Sequence, residues 1–246
     1  MSTIDINCDM GEGIGNDESI MPFISSTNIS CGFHAGDEET MRQTIESALK
    51  YHVAIGAHPS FFDKENFGRT EIFLPADEIY DLIILQLRSI EKILKTKNAR
   101  LHHVKPHGAL YNMSAKDPKI ANAIALAVKD FDYSLVLYGL SGSYSITEAI
   151  AMDLIAANEV FADRSYQDEG SLTPRSQSRA LLENSDEVIQ QSLQLIKEKT
   201  VTTMSGKIIP VAADTICIHG DGEHAVEFAK AIHKKLKESD IVIQAF

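Results

Sequence analysis

The sequence is poor in cysteine and contains no tryptophan. Its three cysteines, Cys8, Cys31 and Cys217, are an odd number, lie far apart and form no CxxC pair. This usage is typical of reduced thiols in a cytosol, and it excludes a disulfide framework as the basis of the fold. We therefore expect the cysteines to be small buried side chains at strand ends.

Positive charge is scarce relative to negative charge. The chain carries 23 Lys and Arg against 35 Asp and Glu, which gives a formal net charge of −12. A protein this acidic repels nucleic-acid backbones and anionic bilayers at long range, so we expect neither nucleic acid nor a membrane as a partner. An anionic substrate must then be captured by local Arg and Lys side chains.

Long apolar runs are also missing. No segment approaches the roughly 18 consecutive apolar residues of a membrane helix, and the first residues lack the basic and apolar stretches of a secretory leader. We therefore expect a cytoplasmic protein. A chain of 246 residues with 44% hydrophobic residues has an ordinary globular composition and fits a single barrel domain over 1–246.

Short runs rich in β-branched residues alternate with amphipathic helical patterns, as in parallel βα units. The predicted strands are 3–8, 28–31, 53–57, 101–105, 134–138, 158–162 and 214–218, and the predicted helices include 76–96, 144–155, 184–199 and 222–238. Asp117 and Pro118 are typical of a further helix start. We also expect a hairpin around Ser205 and Gly206, and 241–243 is either an eighth strand or a tail.

This alternation fits either a distorted barrel or an open doubly wound sheet. Both place the ligand site at the carboxyl ends of the strands. The residues that follow the predicted strands there include Asn7 and Asp9, His34, His58, Lys105 and His107, Asp163 and Arg164, and His219 and Asp221. Any single pair fits a structural hydrogen-bonding role equally well, but their concentration at strand ends favours one shared cavity.

Two long connections, 59–75 and 163–183, lie on the same predicted side of the molecule. Loops of this length in compact domains often cover a binding site. They carry Arg69, Arg164 and Arg175, and guanidinium groups hold carboxylates or phosphates through paired hydrogen bonds. Each arginine alone is more often a partner in a surface salt bridge.

Familiar cofactor motifs are absent from the sequence. It has no GxxxxGK[ST] phosphate loop, no GxGxxG spacing and no HExxH pair. Asp and His ligands without thiolates suit Zn²⁺, Mn²⁺ or related ions, so a divalent metal stays open without a motif that demands it.

Seven segments together resemble the LamB/YcsF family. They are INCDMGEG at 6–13, TNISCGFHAGD at 27–37, IGAHPSF at 55–61, HVKPHGALYN at 103–112, FADRSY at 161–166, LTPRS at 172–176 and CIHGDG at 217–222. The resemblance implies a distorted seven-stranded β/α barrel similar to those of the glycoside hydrolase and deacetylase superfamily. It also implies ATP-dependent opening of 5-oxo-L-proline to L-glutamate, together with two partner subunits, B and C.

That reaction suggests roles for the strand-end residues, because an activated lactam needs a base for water, an acid for the leaving nitrogen and cations for its anionic groups. The hypothesis makes Asp9 or Asp163 the base, His107 the acid–base partner and Lys105 the cation at the phosphoryl group or oxyanion. Arg164 or Arg175 clamps the substrate carboxylate. The other substrate-binding candidates are Asn7, His34, His58, His219 and Asp221.

Two alternatives remain at this stage. The first is a metal-dependent amidohydrolase or deacetylase with Asp9, His34 and His58 as ligands. The second is a non-catalytic binding subunit of a lactam-utilising complex. Within the main hypothesis, the missing phosphate loop favours a chain that hydrolyses an intermediate made by its partners rather than one that binds ATP itself.

Overall fold

The computed structural model describes residues 2–220, 222 and 224–246, so Asp221, one of the predicted substrate-binding residues, lies outside the described residues. The strands are β1 Thr3–Met10, β2 Ser26–Ser30, β3 Ala54–His58, β4 His103–Val104, β5 Val136–Leu140, β6 Ile155–Phe161, β7 Thr200–Thr202, β8 Ile208–Pro210, β9 Thr215–Ile218 and β10 Val242–Ile243. The helices are α1 Asp17–Ile20, α2 Glu38–Tyr51, α3 Ala76–Thr96, α4 Gly108–Lys116, α5 Pro118–Phe131, α6 Tyr144–Ala151, α7 Ser185–Leu193 and α8 Ala225–Glu238.

Parallel strands close into a barrel in the order β1, β2, β3, β4, β5, β6 and β9, with β9 pairing back onto β1. This confirms the seven-stranded β/α barrel expected from the resemblance. The run at 241–243 contributes β10, which pairs with the start of β1 outside the closed ring. The predicted hairpin is also present, as the antiparallel pair β7 and β8 inserted between β6 and β9.

Strand β1 shows how the barrel divides its side chains. The alternate residues Ile4, Ile6, Cys8 and Met10 are buried in the hydrophobic core between barrel and helices. Asp5, Asn7 and Asp9 are buried on the opposite face, which is the barrel interior. Because side chains of a strand alternate between its faces, the period of two in the sequence is sufficient to separate these two environments.

The barrel interior is polar rather than aliphatic at its centre. Asn7 Nδ2 donates to Glu159 Oε1 at 2.9 Å and to Thr215 Oγ1 at 2.7 Å, and these side chains are buried. Nearer the amino ends, the Tyr138 hydroxyl donates to Asp5 Oδ2 at 2.9 Å. Buried polar groups without partners are costly, so this network specifies one register of the strands.

Gly56 in β3 shows how closely the interior is packed. A Cβ atom at this position would overlap the imidazole of His103, which projects from the neighbouring strand β4. His103 Nε2 lies 2.7 Å from Asn28 Oδ1, and its ring stacks on Tyr138 with centroids 4.1 Å apart. The glycine therefore makes room for a buried histidine.

Several predicted boundaries were wrong. The strand predicted at 101–105 is regular only over His103–Val104, since Pro106, two residues after Val104, has no N–H for a ladder. The helix predicted at 184–199 leaves the α form after Leu193 and continues as a π turn, which ends at Lys199 with a positive φ of 55°. The helix predicted at 144–155 ends at Ala151, and Ile155 already belongs to β6.

Helix α4 is missing from the prediction. Its residues Ala109, Leu110, Tyr111, Met113 and Ser114 are buried on nearly all sides, so the segment lacks the one-sided apolar stripe by which amphipathic helices are detected. The predicted start of α5 is confirmed, because Asp117 accepts a hydrogen bond from the Lys119 backbone N–H at 2.8 Å. Across residues 2–220, 222 and 224–246, no helix has both the length and the apolar character needed to span a bilayer.

Candidate functional site

A cavity of about 260 Å³ opens at the carboxyl ends of the barrel strands. The predicted residues that line it from the strand ends are Asp9, His58, Lys105, His107 and His219, and Arg164 and Arg175 reach it from the connection that follows β6. Asn7, His34 and Asp163 lie behind these residues, in contact with them. Every predicted catalytic or substrate-binding residue within the described part of the chain therefore lies in the wall of one cavity or directly behind it.

Lys105 occupies the floor of the cavity and is enclosed by acceptors. Its Nζ lies 2.9 Å from Asp9 Oδ1, 2.7 Å from Glu159 Oε1 and 3.1 Å from Cys217 Sγ. Burial alone would lower the pKa of this ammonium, but the carboxylates of Asp9 and Glu159 raise it well above its ordinary value. Lys105 is therefore a fixed positive charge below the cavity.

Asp9 is the matching fixed negative charge. Its Oδ1 also accepts from Asn28 Nδ2 at 2.8 Å, and its Oδ2 lies 3.4 Å from His58 Nε2. Burial opposes ionisation of this carboxyl, yet its contacts with His58 and Lys105 hold its pKa well below the usual range. The carboxylate thus stays ionised while being almost completely buried.

Asn7 and Asn28 hold this ion pair from beneath. Asn28 Nδ2 donates at 2.7 Å to Asn7 Oδ1 and at 2.8 Å to Asp9 Oδ1, so the two side chains on β1 share a face, as their spacing predicts. Asn7 Oδ1 also accepts from Lys105 Nζ at 3.2 Å. The contacts of Asn7 are therefore with the barrel interior, one layer below the cavity.

Three histidines and one glutamate form a compact group beside the cavity. The rings of His34 and His107 stack with centroids 3.8 Å apart, and His58 meets both rings edge-on. His58 Nε2 lies 2.9 Å from His107 Nδ1, and Glu12 Oε1 lies 3.2 Å from His34 Nε2. Ligand atoms from all of them lie within 4.8 Å of one another, so this group could hold a metal ion.

The ligand set proposed from sequence for a metal hydrolase spans two neighbouring groups. His34 and His58 group with Glu12 and His107, and Asp9 groups with Cys217 and His219 while its Oδ2 lies 3.4 Å from His58 Nε2. Burial lowers the pKa of His34 to about 2, and burial, with His34 and His58 close by, lowers that of His107 well below its ordinary value. Both rings are therefore neutral and carry a lone pair.

Asp163 and His219 form a second pair, on another part of the wall. His219 Nδ1 donates to Asp163 Oδ1 at 2.8 Å, and the His219 backbone N–H donates to Asp163 Oδ2 at 3.2 Å. Burial raises the pKa of Asp163, but the contacts with His219 outweigh it and lower the pKa below its ordinary value. With its Nδ1 held by an ionised carboxylate, the ring presents Nε2 as the atom available to accept a proton.

The arginines differ in how they are held. Arg164 is buried, and it donates from Nη2 to Thr173 O at 2.6 Å and from Nε to Ala180 O at 3.2 Å. Burial, and then the charge of Arg175, lowers the pKa of Arg164 to about 10. Arg175 is half-buried on the cavity wall. Arg69 also lines the cavity, from the loop that follows β3.

Comparison with known proteins shows the family of this chain. The model of the LamB/YcsF family matches residues 4–246. The chain belongs to the LamB/YcsF family. Among its relatives, the 5-oxoprolinase A subunit from Tolumonas auensis is 50% identical over 250 residues, and the one from Bacillus cereus strain AH187 is 47% identical over 251. Both alignments cover 100% of this chain, and they cover 100% and 99% of those relatives.

A solved structure of the same type is the lactam utilization protein from Thermus thermophilus. It superposes with a TM-score of 0.92 at 37% identity, over 99% of this chain and 100% of that one. A family 4 carbohydrate esterase from Streptomyces lividans superposes with a TM-score of 0.54 at 9% identity, over 98% and 91% of the two chains. The second likeness shows that this LamB/YcsF barrel shares its fold with such esterases.

Sequence reasoning missed two acidic residues of this LamB/YcsF site. Glu12 follows the first strand together with Asp9, but it received no role in the prediction. Glu159 lies within a strand, where it is fully buried against Lys105. A charged residue inside a largely apolar strand is the signal that could have revealed Glu159, because such a charge must be paired when it is buried.

Proposed function

We propose that this chain is the A subunit of an ATP-dependent 5-oxoprolinase, which opens 5-oxo-L-proline to L-glutamate together with subunits B and C. The observation that carries the proposal is a single cavity that combines an imidazole held by a carboxylate, a buried lysine–aspartate pair and three arginines. The full-length similarity to proteins named as the A subunits of 5-oxoprolinases supports the same conclusion. We take residues 1–246 as one barrel domain.

The proposed reaction has three stages. ATP phosphorylates the amide oxygen of the lactam and leaves as ADP, which makes the ring carbon electrophilic. Water then adds to that carbon, and the ring C–N bond breaks to give an acyl phosphate. A second water hydrolyses the acyl phosphate to L-glutamate and phosphate, so two waters are consumed for each ATP.

His219 is the proposed general base for the attacking water. Its Nδ1 proton is held by Asp163, which fixes the ring orientation and stabilises the imidazolium formed when Nε2 takes a proton. Asp163 therefore acts through His219, in place of the direct base role considered from sequence. The cavity position of His219 gives it access to a bound lactam.

Lys105 and Asp9 provide fixed charges below the reacting carbonyl, and His107 is the proposed acid–base partner, whose Nδ1 lone pair accepts a proton and passes it to the leaving nitrogen. Preorganised charges that need no rearrangement during the reaction are the main source of transition-state stabilisation in many enzymes. Arg175, with Arg164 behind it, is the proposed clamp for the substrate carboxylate, since guanidinium groups bind carboxylates through paired hydrogen bonds. Asn7 contacts Lys105, and His34 and His58 contact His107, so these three residues are proposed to hold the reacting groups in place.

ATP is proposed to bind mainly outside this chain. The sequence has no phosphate loop, and the cavity carries the acidic side chains of Asp9, Glu12 and Glu71 as well as its basic ones. Carboxylates in such a wall repel a triphosphate. The purified chain alone is then expected to show no ATP hydrolysis, and robust ATP hydrolysis by the chain alone would contradict this division of labour.

The test is glutamate release from 5-oxo-L-proline by the purified chain, with and without ATP, a metal chelator and subunits B and C. Release only with ATP and both partners supports the proposal. Chelator-sensitive release without ATP would instead favour a metal-dependent amidohydrolase. His219→Gln should abolish most of the release, whereas His52→Asn, an exposed position at the end of α2, should match the unmodified chain.

A further inference from the structure

We propose that Glu12, His58 and His107 bind one divalent transition-metal ion, Zn²⁺ or a close relative, at the edge of the cavity. Glu12, His58 and His107 all line that cavity, so a bound ion would be within reach of a small molecule inside it. The inference does not depend on the identity of the substrate. It depends on which ring nitrogens of His58 and His107 are bonded to backbone carbonyls.

Each of the two histidines has one ring nitrogen committed to a backbone carbonyl. His58 Nδ1 lies 2.7 Å from Lys105 O, and His107 Nε2 lies 2.9 Å from Phe67 O. A carbonyl oxygen can only accept, so these nitrogens carry the ring protons. With one proton on each ring, placed at these nitrogens, His58 Nε2 and His107 Nδ1 both present lone pairs.

These two lone-pair nitrogens face each other at 2.9 Å. Two acceptors at this separation repel unless a positive centre lies between or beside them. The positive centre must be either a proton shared by the two rings or a metal ion. The N···N separation is close to the roughly 3.3 Å between ligand atoms of a tetrahedral ion with Zn–N bonds of about 2.0 Å.

Glu12 supplies the third ligand and an anionic charge. Its Oε1 lies 3.7 Å from His107 Nδ1, within the same group as His58. Two imidazole nitrogens and one carboxylate oxygen form a set that suits Zn²⁺ and leaves a coordination position open. A carboxylate among neutral imidazoles also offsets part of the charge of a divalent ion in a buried place.

The three proposed ligands are held by neighbouring groups, as metal ligands in proteins usually are. Both ligating rings donate their other N–H to a carbonyl, which fixes the tautomer and the orientation of each ring. His34 Nε2 lies 3.2 Å from the Glu12 carboxylate, and the His34 ring stacks on His107.

The second possible group, Asp9, Cys217 and His219, is a poorer place for an ion. The Lys105 ammonium already lies 2.9 Å from Asp9 Oδ1 and 3.1 Å from Cys217 Sγ, so a cation occupies its centre. Burial raises the pKa of Cys217 well above its ordinary value, which leaves a thiol rather than a thiolate. Metal ligation by cysteine requires the thiolate.

Metal binding changes the role of His107 in the proposed reaction. With its Nδ1 bound to an ion and its Nε2 proton held by Phe67 O, the ring cannot carry a proton to the leaving nitrogen. Loss of activity in a His107 variant is expected under either role. The test must therefore measure the metal itself rather than turnover.

The experiment is titration of the full-length, metal-stripped protein with Zn²⁺ in competition with a chromophoric chelator, followed by Co²⁺ substitution. We expect one tight equivalent of Zn²⁺ and the absorption spectrum of Co²⁺ in a low-symmetry nitrogen and oxygen site. Glu12→Gln and His107→Gln should lose this equivalent, and His34→Gln should weaken it by about 10- to 100-fold as a supporting partner. His52→Asn is the matched control for histidines on the surface and should bind as the unmodified protein does.

Three results would overturn the inference. The first is the absence of a saturable equivalent in the unmodified, folded protein, which would leave a shared proton between His58 and His107. The second is loss of binding in His219→Gln but not in His107→Gln, which would place the ion in the other group. The third is a Co²⁺ spectrum with the charge-transfer band of a thiolate ligand, a readout that needs no variant to fold. None of these results bears on ATP-dependent glutamate release, so the proposed function is tested separately.

Discussion

Lys105 Nζ lies 2.7 Å from Glu159 Oε1, and both side chains are enclosed at the centre of the barrel. Lys105 comes from the end of β4 and Glu159 from within β6, so the contact crosses the barrel interior. Asp9 shares the same ammonium from β1. A buried ion pair of this kind connects three strands, and removal of one member leaves charge without a partner.

Substitution of Lys105 should therefore reduce stability as well as activity. Lys105→Met leaves Asp9 and Glu159 buried without their cation, and we expect a loss of about 3–5 kcal/mol in the free energy of unfolding. Glu159→Gln should cost less, because Lys105 keeps Asp9. The double variant should be more stable than Lys105→Met alone, as measured by urea unfolding. Strictly additive losses would show that the two side chains do not interact.

Asp163→Asn should lower kcat by about 100-fold or more while the fold is retained. The amide cannot stabilise an imidazolium at His219, and it can present an N–H to Nδ1 that shifts the ring proton to Nε2. Steady-state glutamate release by the complete complex measures the effect, and Asp77→Asn, an exposed position in the first turn of α3, is the matched control. A loss of less than about fivefold would remove Asp163 from the proposed mechanism.

Arg175 and Arg164 should respond differently to the same substitution. Arg175→Gln should raise KM for the lactam by about 10- to 100-fold, which corresponds to the roughly 1.5–3 kcal/mol of a charged hydrogen bond. Arg164→Gln should also loosen the loop it holds through Thr173 and Ala180, which limited proteolysis would detect. An unchanged KM in Arg175→Gln would exclude it as the carboxylate clamp, and Arg42→Gln on the surface of α2 is the control.

Stability should fall on acidification because His103 is buried in neutral form. Burial, and then the charges of His102 and Lys105, lowers the pKa of His103 well below its ordinary value. The unfolded chain binds a proton below about pH 6.5 whereas the folded chain does not, so stability is lost as the pH falls below that value. Below about pH 6.5 this histidine costs about 1.4 kcal/mol of unfolding free energy per pH unit. Between pH 7 and pH 5, His103→Gln should therefore lose about 2 kcal/mol less unfolding free energy than the unmodified protein.

Urea unfolding at the two pH values checks this prediction. His52→Asn is the control, since this exposed histidine should leave the pH dependence parallel to that of the unmodified protein. Equal pH dependence of His103→Gln and the unmodified protein would show that His103 is protonated in the folded state.

Much of the site could be predicted because its signals are local. Asp9, His58, Lys105 and His219 each follow a short apolar run, and the carboxyl ends of parallel strands meet on one side of any βα fold. The spacing of Asn7 and Asp9 is enough to place them on one face, since strand side chains alternate. The helix start at Asp117 and Pro118 is equally local, because capping depends on the residues of one turn.

The rest depends on which strands become neighbours and in which register. Nothing in the sequence around Glu159 specifies Lys105 as its partner, because that contact joins the end of β4 to β6 across the barrel interior. The same holds for Glu12, which joins the histidines only when the loop after β1 folds over the ends of β3 and β4. The sequence by itself determined the alternation of strands and helices and the chemical character of the strand ends. Only the tertiary structure decided which lone pairs, charges and carbonyls face one another, since those contacts join residues from strands far apart in the chain.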